Sequence, residues 1–347
     1  MAIPHNRPWI TAEDRAAVDA VLASGWIAQG PAVAALEAAF VGLHGGGAAC
    51  ALSSGTAALA LALQGLEIGP GMAVALPTYA CSALLNAVHW VGAQAVVVDV
   101  TADAFVLDPQ ALPAAAAVIA VHTYGAPAPI AAYRAGGGKV IEDCCQALGG
   151  SAAGRPLGEE GDAAVYSFYA TKIISGGYGG LVWSRDEACI ERVCDIRQFD
   201  GRETYVPRFN FQLGDMQAAL VLSQFARLDA IRARRAQLAR RFAEALPAGF
   251  GVQAGLPAPG RMAYRFVAIA PDRATRDALQ AHMAAQDIAC IVPLERFELL
   301  HRYLGLDPAA YPVAERLVDT TLSLPLYPAL GDADADQVCE ALLGFRP

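Results

Sequence analysis

The sequence predicts an α/β protein, with a mainly parallel seven-stranded sheet covered by helices on both faces and a smaller C-terminal α+β domain. Its first 250 residues, approximately, alternate short apolar runs with longer helical patterns. The runs are apolar at consecutive positions, which is typical of parallel strands buried on both faces. At 347 residues, 55% hydrophobic and 17% charged, the chain can build a core large enough for two domains.

Seven runs are predicted to be the strands of this sheet: Ala49–Leu52, Ala73–Leu76, Ala95–Val100, Val118–Val121, Val140–Glu142, Ala164–Phe168 and Leu181–Trp183. Between them, helical periodicity predicts helices over Ala57–Gln64, Ser82–Val91, Pro109–Ala115 and Ile130–Ala135. Ligands of such sheets bind outside the carboxyl ends of the strands. We therefore expect the functional residues in the loops that directly follow the strands.

The pattern changes after residue 215, where one long helix is predicted over Asp215–Leu246. Its arginine-rich face is expected to be solvated or to lie at a subunit contact, and comprises Arg232, Arg234, Arg235, Arg240 and Arg241. A Gly/Pro-rich break over Pro247–Arg261 suggests a hinge between the two lobes of the protein. The remainder predicts a strand, a helix and a strand over Phe266–Ile269, Arg273–Ala285 and Ile288–Val292.

These patterns predict a large domain over residues 1–246 and a small domain over residues 247–347, with about the first 25 residues packing on the small domain. A net charge of −9 argues against binding to nucleic acid, which requires a basic face. No export signal or membrane-length apolar stretch is evident, so we expect a cytoplasmic protein without membrane association. The eight cysteines and six histidines show no metal-binding spacing, and no metal site is expected.

Lysine is rare in this chain, with Lys139 and Lys172 the two lysines among 25 basic residues. Arginine evidently supplies most positive charge, so a surviving lysine suggests chemistry that guanidinium cannot perform. An amine can lose its proton and form a Schiff base. Lys139 begins a predicted strand and is interpreted as a chance occurrence. Lys172 lies between a strand-like run and a Gly-rich turn, and is the candidate for such chemistry.

Three loops after predicted strands carry candidate functional groups. In the first, Ser53–Leu59 opens a helix with hydroxyls, a glycine and free amides, which suits a phosphate monoester, although a simple helix cap is the alternative. In the second, Asp143 ends a strand and either caps the next helix or pairs with a cationic ring nitrogen. In the third, Ser167 precedes Lys172 and the glycines of the turn.

A phosphate cradle, a strand-end carboxylate and a lysine are the three groups required to hold pyridoxal 5′-phosphate (PLP). At these residues the sequence resembles the DegT/StrS-type sugar aminotransferases, which belong to the PLP enzymes of fold type I, with an aspartate-aminotransferase-like fold. The resemblance covers nearly the whole chain. Its pieces are Gly25–Gly30, Ser54–Leu59, Gly92–Ala93, Val98–Val100, Val121–Gly125, Glu142–Ala147, Ser167–Lys172, Asn210–Phe211, Gln217–Ala219 and Leu322–Pro325.

The resemblance implies a role for each matching residue. Lys172 would hold the cofactor as a Schiff base and then act as acid and base, and Asp143 would pair with the ring nitrogen. Gln146 would hydrogen-bond near the ring hydroxyl. The other cofactor-binding positions implied are Ser54, Gly55, Thr56, Tyr79, Cys81, Ser167 and Asn210. Asn210 would reach the phosphate of the neighbouring subunit, which implies a homodimer with shared active sites.

The reaction implied is transfer of an amino group, commonly from glutamate, to a keto sugar carried by a nucleotide diphosphate. Three positions depart from the family pattern. Cys81 stands where an aromatic residue often covers the cofactor ring, unless Tyr79 takes that place. Gln212 replaces an arginine, and Val292–Glu295 replaces a His-Tyr motif. These departures leave open a PLP-binding regulatory protein, or dehydration of a sugar, although Lys172 argues against the latter.

Four polar residues outside the set above also lie near these motifs. His122 follows a strand and is either a cofactor or substrate contact or a structural histidine. Tyr178 is interpreted as part of the Gly-rich turn. Arg202 and Arg208 lie in a polar segment before Asn210, where one of them would be able to meet a diphosphate.

Overall fold

The computed structural model of the protein describes residues 2–346. Its strands are β1 (Ala48–Leu52), β2 (Ala73–Pro77), β3 (Gln94–Val98), β4 (Ala117–Val121), β5 (Lys139–Asp143), β6 (Ser151–Ala152), β7 (Arg155–Pro156), β8 (Ala163–Ser167), β9 (Gly180–Ser184), β10 (Gly251–Val252), β11 (Phe266–Ile269) and β12 (Thr321–Leu324). Its α-helices are α1 (Ala12–Ser24), α2 (Pro31–Leu43), α3 (Gly55–Gly65), α4 (Ala83–Trp90), α5 (Ile130–Arg134), α6 (Glu187–Arg197), α7 (Asp215–Phe225), α8 (Leu228–Ala245), α9 (Arg273–Ala284), α10 (Leu300–Tyr303), α11 (Pro312–Thr320) and α12 (Asp332–Gly344). Single 3₁₀ turns occur at Thr123–Gly125, Arg296–Glu298 and Pro308–Ala310.

The main sheet has seven strands in the order β1-β9-β8-β5-β4-β2-β3. Four adjacent pairs are parallel, and β9 runs antiparallel to both of its neighbours. All seven predicted strands are present in this sheet, with their ends displaced by no more than two residues. The prediction of a mainly parallel seven-stranded sheet is confirmed.

Helices cover both faces of the sheet, as the residues of β8 illustrate. Ala163 and Val165 pack in one buried cluster with Leu59 of α3, whereas Tyr166 packs in another with Phe40 of α2. The rings of Phe40 and Tyr166 meet edge to face at 4.8 Å between centroids. Burial of successive residues on opposite faces explains why these strands are apolar at consecutive positions.

The sequence predictions failed at three places. The predicted helix over Pro109–Ala115 is wrong, because the segment is irregular and Pro113 within it lacks the amide hydrogen that a helix requires. The predicted strand Ile288–Val292 is reduced to isolated bridges, from Ile288 to Ile3 and from Ile291 to Ser323. The predicted long helix is two helices, since the chain leaves helical geometry at Arg227, between α7 and α8.

Helix α8 connects two separate cores. Its first turn contributes Leu228 to the core beneath the main sheet, and further along Phe242 packs against Phe266 of the small sheet β10-β11-β12. Between them, the expectation that the arginine face is solvated or lies at a subunit contact is wrong for Arg235, which is 2% exposed and buried within the chain itself. Its Nη1 donates to the backbone carbonyls of Ala263, Tyr264 and Leu326, so these hydrogen bonds compensate its burial.

The N-terminal segment contacts both cores. Ile3 pairs with Ile288 and the His5 ring hydrogen-bonds to Ser323 of β12, whereas Asp14 of α1 forms an ion pair with Arg227 at 2.6 Å. The predicted division at residue 246 falls between α8 and β10 and stays a prediction. Within residues 2–346, every helix is too short or too polar to cross a lipid bilayer.

The Gly25–Gly30 motif is held in place by a buried carboxylate. Asp215, at the first position of α7, accepts hydrogen bonds from the amides of Gly30 (2.8 Å), Ala32 (3.0 Å) and Val33 (3.0 Å). These amides open α2, so Asp215 supplies the negative charge that a helix N-terminus favours. The contact fixes the entry to α2 against α7, behind the main sheet.

Candidate active site

Several loops that carry candidate residues converge at one edge of the main sheet. The strands β5 and β8 end there with Asp143 and Ser167, and Ser54 follows the end of β1. Strand β9 starts there as well, just after Gly179, which pairs with Ser54. A cleft of about 300 Å³ opens at this edge. Its lining comprises Ser54, Gly55, Thr56, Leu59, Cys81, Ala83, Asp143, Cys145, Gln146, Ser167, Tyr169, Lys172, Tyr178 and Gly179. Eight of the ten predicted cofactor-binding residues are thus brought together.

One end of the cleft is the N-terminus of α3, where backbone amides and hydroxyls face the cavity. The Ser54 hydroxyl accepts a hydrogen bond from the Ala57 amide at 3.1 Å, so Ser54 caps the helix and lines the cleft as well. A Cβ placed on Gly55 would lie 2.8 Å from the Ser167 Cβ, so the two loops approach too closely for any side chain. Together with Thr56, these groups fit a phosphate dianion.

Asp143, also in the cleft lining, presents a carboxylate that is 6% exposed. Its Oδ1 accepts a hydrogen bond from the Cys145 amide at 3.0 Å, and this is its one protein partner among residues 2–346. Oδ2 is therefore free to meet a cationic donor in the cleft. Beside it, Gln146 uses its Oε1 to accept from the Tyr124 amide at 2.8 Å, which leaves the amide nitrogen of its side chain for a ligand.

Glu142, the neighbour of Asp143, has a structural role on the other side of β5. It is 1% exposed and accepts hydrogen bonds from His122 (2.9 Å) and from the amides of Gly158 (3.0 Å) and Glu160 (2.8 Å). Burial alone would raise the pKa of Glu142, but these donors hold it below its ordinary value. The network anchors the end of β5 and so fixes Asp143.

His122 is a satisfied structural histidine, one of the two alternatives left open by the sequence. Its Nδ1 accepts from the Ala128 amide at 2.9 Å, which leaves the proton on Nε2 for Glu142. The possible metal-ligand atoms of His122, Glu142 and Cys144 lie within 4.8 Å of one another. Both histidine nitrogens already have partners, so this group does not point to a metal.

Lys172 lies in the wall of the cleft, half-buried, with its Nζ 5.7 Å from the centre of the Tyr264 ring. Burial disfavours its charged form, but Tyr264, the thiols of Cys145 and Cys81, and Asp143 outweigh this and raise the pKa of Lys172 above its ordinary value. In the protein without cofactor the amine is therefore protonated at neutral pH. It must lose that proton before it can react with an aldehyde.

Several lining residues were not predicted from the sequence. Tyr178, interpreted above as turn structure, is 67% exposed and stands at the cleft with Tyr169, their ring centroids 5.9 Å apart. The sequence could have indicated this pair, because Tyr169 lies within the Ser167–Lys172 motif and Tyr178 follows it closely. Tyr264 is not in this lining but lies against Lys172, and it comes from the segment just before β11, for which the sequence offered no signal.

Two predicted residues do not line the cleft. Tyr79 is 1% exposed, and its hydroxyl lies 3.3 Å from Thr321 Oγ1 and 3.4 Å from the Tyr124 hydroxyl. Cys81, and not Tyr79, therefore occupies the cleft at this position. Asn210 is exposed, with its Oδ1 accepting from the Gln212 amide.

The two arginines before Asn210 already have a protein partner. Arg202 and Arg208 both form ion pairs with Asp195. Within the described chain they are therefore placed against a carboxylate of α6.

The chain is similar to one family of known proteins and to several solved structures. Residues 8–343 match the model of the DegT/DnrJ/EryC1/StrS aminotransferase family. The PLP form of Spr1654 from Streptococcus pneumoniae superposes with a TM-score of 0.91 at 25% identity, covering 99% of this chain and 98% of that one. The aminotransferase TlmJ from Streptoalloteichus hindustanus gives 0.88 at 29% identity, covering 98% and 97%. DesV of S. venezuelae, solved with a ketimine intermediate, gives 0.87 at 32% identity, covering 96% and 94%.

Proposed function

The chain belongs to the DegT/DnrJ/EryC1/StrS aminotransferase family and is a PLP-dependent sugar aminotransferase, and on that premise we propose that it transfers an amino group from glutamate to a keto sugar linked to a nucleotide diphosphate. One observation carries the proposal. Lys172, Asp143 and the N-terminus of α3 line the same cleft, although 117 residues separate Gly55 from Lys172. The cleft thus presents an amine, a carboxylate and an anion cradle together.

When bound, PLP supplies an aldehyde that takes up the amino group and a pyridine ring that stabilises negative charge. We assign the attachment of that aldehyde to Lys172, the one lysine in the cleft lining. With its amine released from the aldehyde, Lys172 would act as the base that takes a proton from the donor's carbon and as the acid that returns it to the carbon of the cofactor. The Asp143 carboxylate, whose Oδ2 has no hydrogen-bond partner among residues 2–346, would hold the ring nitrogen in its protonated form, and the side-chain amide of Gln146 would donate to the ring hydroxyl.

The phosphate is assigned to the N-terminus of α3, in the same cleft. The amides of Gly55 and Thr56 belong to the first turn of α3, and Ser54, Thr56 and Ser167, which carry hydroxyls, line the same cleft. Helix N-termini stabilise anions through these unpaired amides and the helix dipole. The cradle fixes the position of the ring relative to Lys172 and Asp143.

We also propose that the working form is a homodimer with shared sites. Asn210 is exposed on a surface segment that lacks regular structure, and Phe199, Tyr205 and Phe209 on this segment are also exposed. An exposed asparagine among exposed aromatic rings suits contact with a neighbouring subunit and its cofactor phosphate. Mixing inactive Lys172→Arg chains with Asn210→Ala chains tests this, because a shared site should regain activity in the mixed dimer.

The acceptor is tested with ¹⁵N-labelled glutamate and a panel of keto sugars, each offered free and linked to a nucleotide diphosphate. The proposal predicts that ¹⁵N appears in a nucleotide-linked sugar by mass spectrometry, together with 2-oxoglutarate, and that Lys172→Arg gives neither. Equal labelling of free and linked sugars would contradict the nucleotide requirement. An aminated sugar without ¹⁵N, formed with no 2-oxoglutarate, would contradict glutamate as the source of the amino group.

A further inference from the structure

A second, smaller cavity lies next to Lys172, with Thr171 and Tyr264 in its lining. It measures about 130 Å³ and is formed by the N-terminal segment, the residue before Lys172, the two residues that precede β11, Ile291, and the end of β12 with the segment after it. Its polar lining comprises His5, Asn6, Thr171, Tyr264, Arg265 and Ser323. No function assigned above uses this cavity.

The charge in this cavity comes from Arg265. Its Nη1 lies 3.3 Å from His5 Nε2 and 3.4 Å from the Ser323 hydroxyl, and neither partner is a carboxylate. Burial, followed by the charge of Arg265, lowers the pKa of His5 to about 4, so His5 is neutral at physiological pH. The guanidinium is thus the cationic group in a lining otherwise made of neutral polar and apolar side chains.

Tyr264 connects this charge to the reacting lysine. The centre of its ring lies 5.6 Å from Arg265 Cζ and 5.7 Å from Lys172 Nζ. Burial would raise the pKa of the Tyr264 phenol, but Lys172 and Arg265 hold it below its ordinary value. A small molecule whose nitrogen takes the place of Lys172 Nζ therefore has a guanidinium close by, in contact with the same ring.

We propose that Arg265 binds a carboxylate of the amino donor in this cavity, an inference that rests on the proposed aminotransferase function. Guanidinium and carboxylate match each other in shape and charge, and form paired hydrogen bonds. The carboxylate makes and breaks no covalent bond, so Arg265 selects and orients the donor while Lys172 moves the proton. The anionic groups of a sugar nucleotide share this chemistry, and the test separates the two sources.

The first measurement is binding of glutarate, a dicarboxylate that cannot react, to the PLP-loaded protein by isothermal titration calorimetry. Arg265→Met should weaken glutarate binding roughly 10- to 100-fold, the range for a hydrogen-bonded charge. Arg265→Lys should lose less, because it keeps the charge. Arg240→Met removes an exposed cation of α8 and should leave binding unchanged. Retention of the visible cofactor band in each variant verifies its folding.

The second measurement follows the cofactor band after addition of L-glutamate or of hydroxylamine, which lacks a carboxylate. The inference predicts that Arg265→Met needs a higher glutamate concentration by a similar factor, but reacts with hydroxylamine at the wild-type rate. Equal loss with both reagents would place Arg265 in cofactor binding and overturn the inference. Wild-type glutarate binding in Arg265→Met, or weakened binding of uridine diphosphate instead, would overturn it as well.

The outcomes also separate this inference from the proposed function. If the wild-type protein responds to glutamate and Arg265→Met responds equally, the inference fails while the aminotransferase function stands. If the wild-type protein ignores glutamate yet binds glutarate through Arg265, glutamate is excluded as donor while the carboxylate site stands.

Discussion

Replacing Glu142 by glutamine should destabilise the protein strongly, although the two side chains have nearly the same shape. The Glu142 carboxylate is 1% exposed and is surrounded by donors alone. Oε2 accepts from His122 and the Gly158 amide, and Oε1 accepts from the amides of Glu160 and Gly161. A glutamine must direct its own N–H groups at one of these pairs.

The cost follows from counting the donors left without a partner. Whichever way the amide turns, two buried N–H groups lose their acceptor, at about 1–3 kcal/mol each. His122 cannot relieve the conflict by moving its proton, because its Nδ1 already accepts from the Ala128 amide. The expected loss in the free energy of unfolding is therefore roughly 2–6 kcal/mol.

Urea unfolding at neutral pH, followed by tryptophan fluorescence, measures this loss. Glu160→Gln is the matched control, because the Glu160 side chain is 30% exposed and pairs with Arg155 at the surface, where such a pair contributes about 0–1 kcal/mol. Similar losses in the two variants would refute the reasoning. So would a Glu142→Gln protein as stable as the wild type.

The same carboxylate predicts a pH dependence. Because the folded pKa of Glu142 lies below its ordinary value, its contribution is complete above the pKa of the unfolded carboxyl. It is lost as the pH falls through the folded pKa. The difference in stability between wild type and Glu142→Gln should therefore be largest near neutral pH and shrink in acid.

The remaining predictions concern the cleft. Asp143→Asn should retain PLP but slow the glutamate half-reaction, measured by stopped-flow absorption, by roughly 10²-fold or more, because a neutral amide cannot keep the ring nitrogen protonated. Loss of that carboxylate should also lower the pKa of Lys172, so PLP should attach to the cofactor-free variant at lower pH than to the wild type. Gly55→Ala should weaken PLP binding in a fluorescence titration, because its Cβ would lie 2.8 Å from the Ser167 Cβ, whereas Gly42→Ala, with open space around it, should not. An unchanged rate, an unchanged pH profile or equal affinities, respectively, would contradict these predictions.

Much of the fold could be predicted because its strands are short, buried on both faces and bounded by loops. That pattern is local, and β2, β4 and β8 show it within single runs of five residues. The helix predicted over Pro109–Ala115 failed because alanine content favours a helix, while Pro113 opposes it and no neighbouring element needs one there.

The same distinction between local patterns and long-range contacts applies to the candidate site and its surroundings. That Asp143 and Lys172 lie in one cleft could be predicted, because each stands in a strand-to-loop motif of one segment. The burial of Arg235 could not be predicted, because its acceptors lie 28 to 91 residues away. The cavity of Arg265 likewise depends on the N-terminal segment meeting β12, a contact between ends of the chain that no local pattern reveals.

The most direct test is the absorption spectrum of the purified protein with PLP, before and after addition of L-glutamate, beside Lys172→Arg. We predict a visible band in the wild type that shifts to the near-ultraviolet with glutamate, and no such band in Lys172→Arg. Absence of a visible band in the wild type even with added PLP, or a glutamate response that survives in Lys172→Arg, would contradict Lys172 as the residue that holds the cofactor.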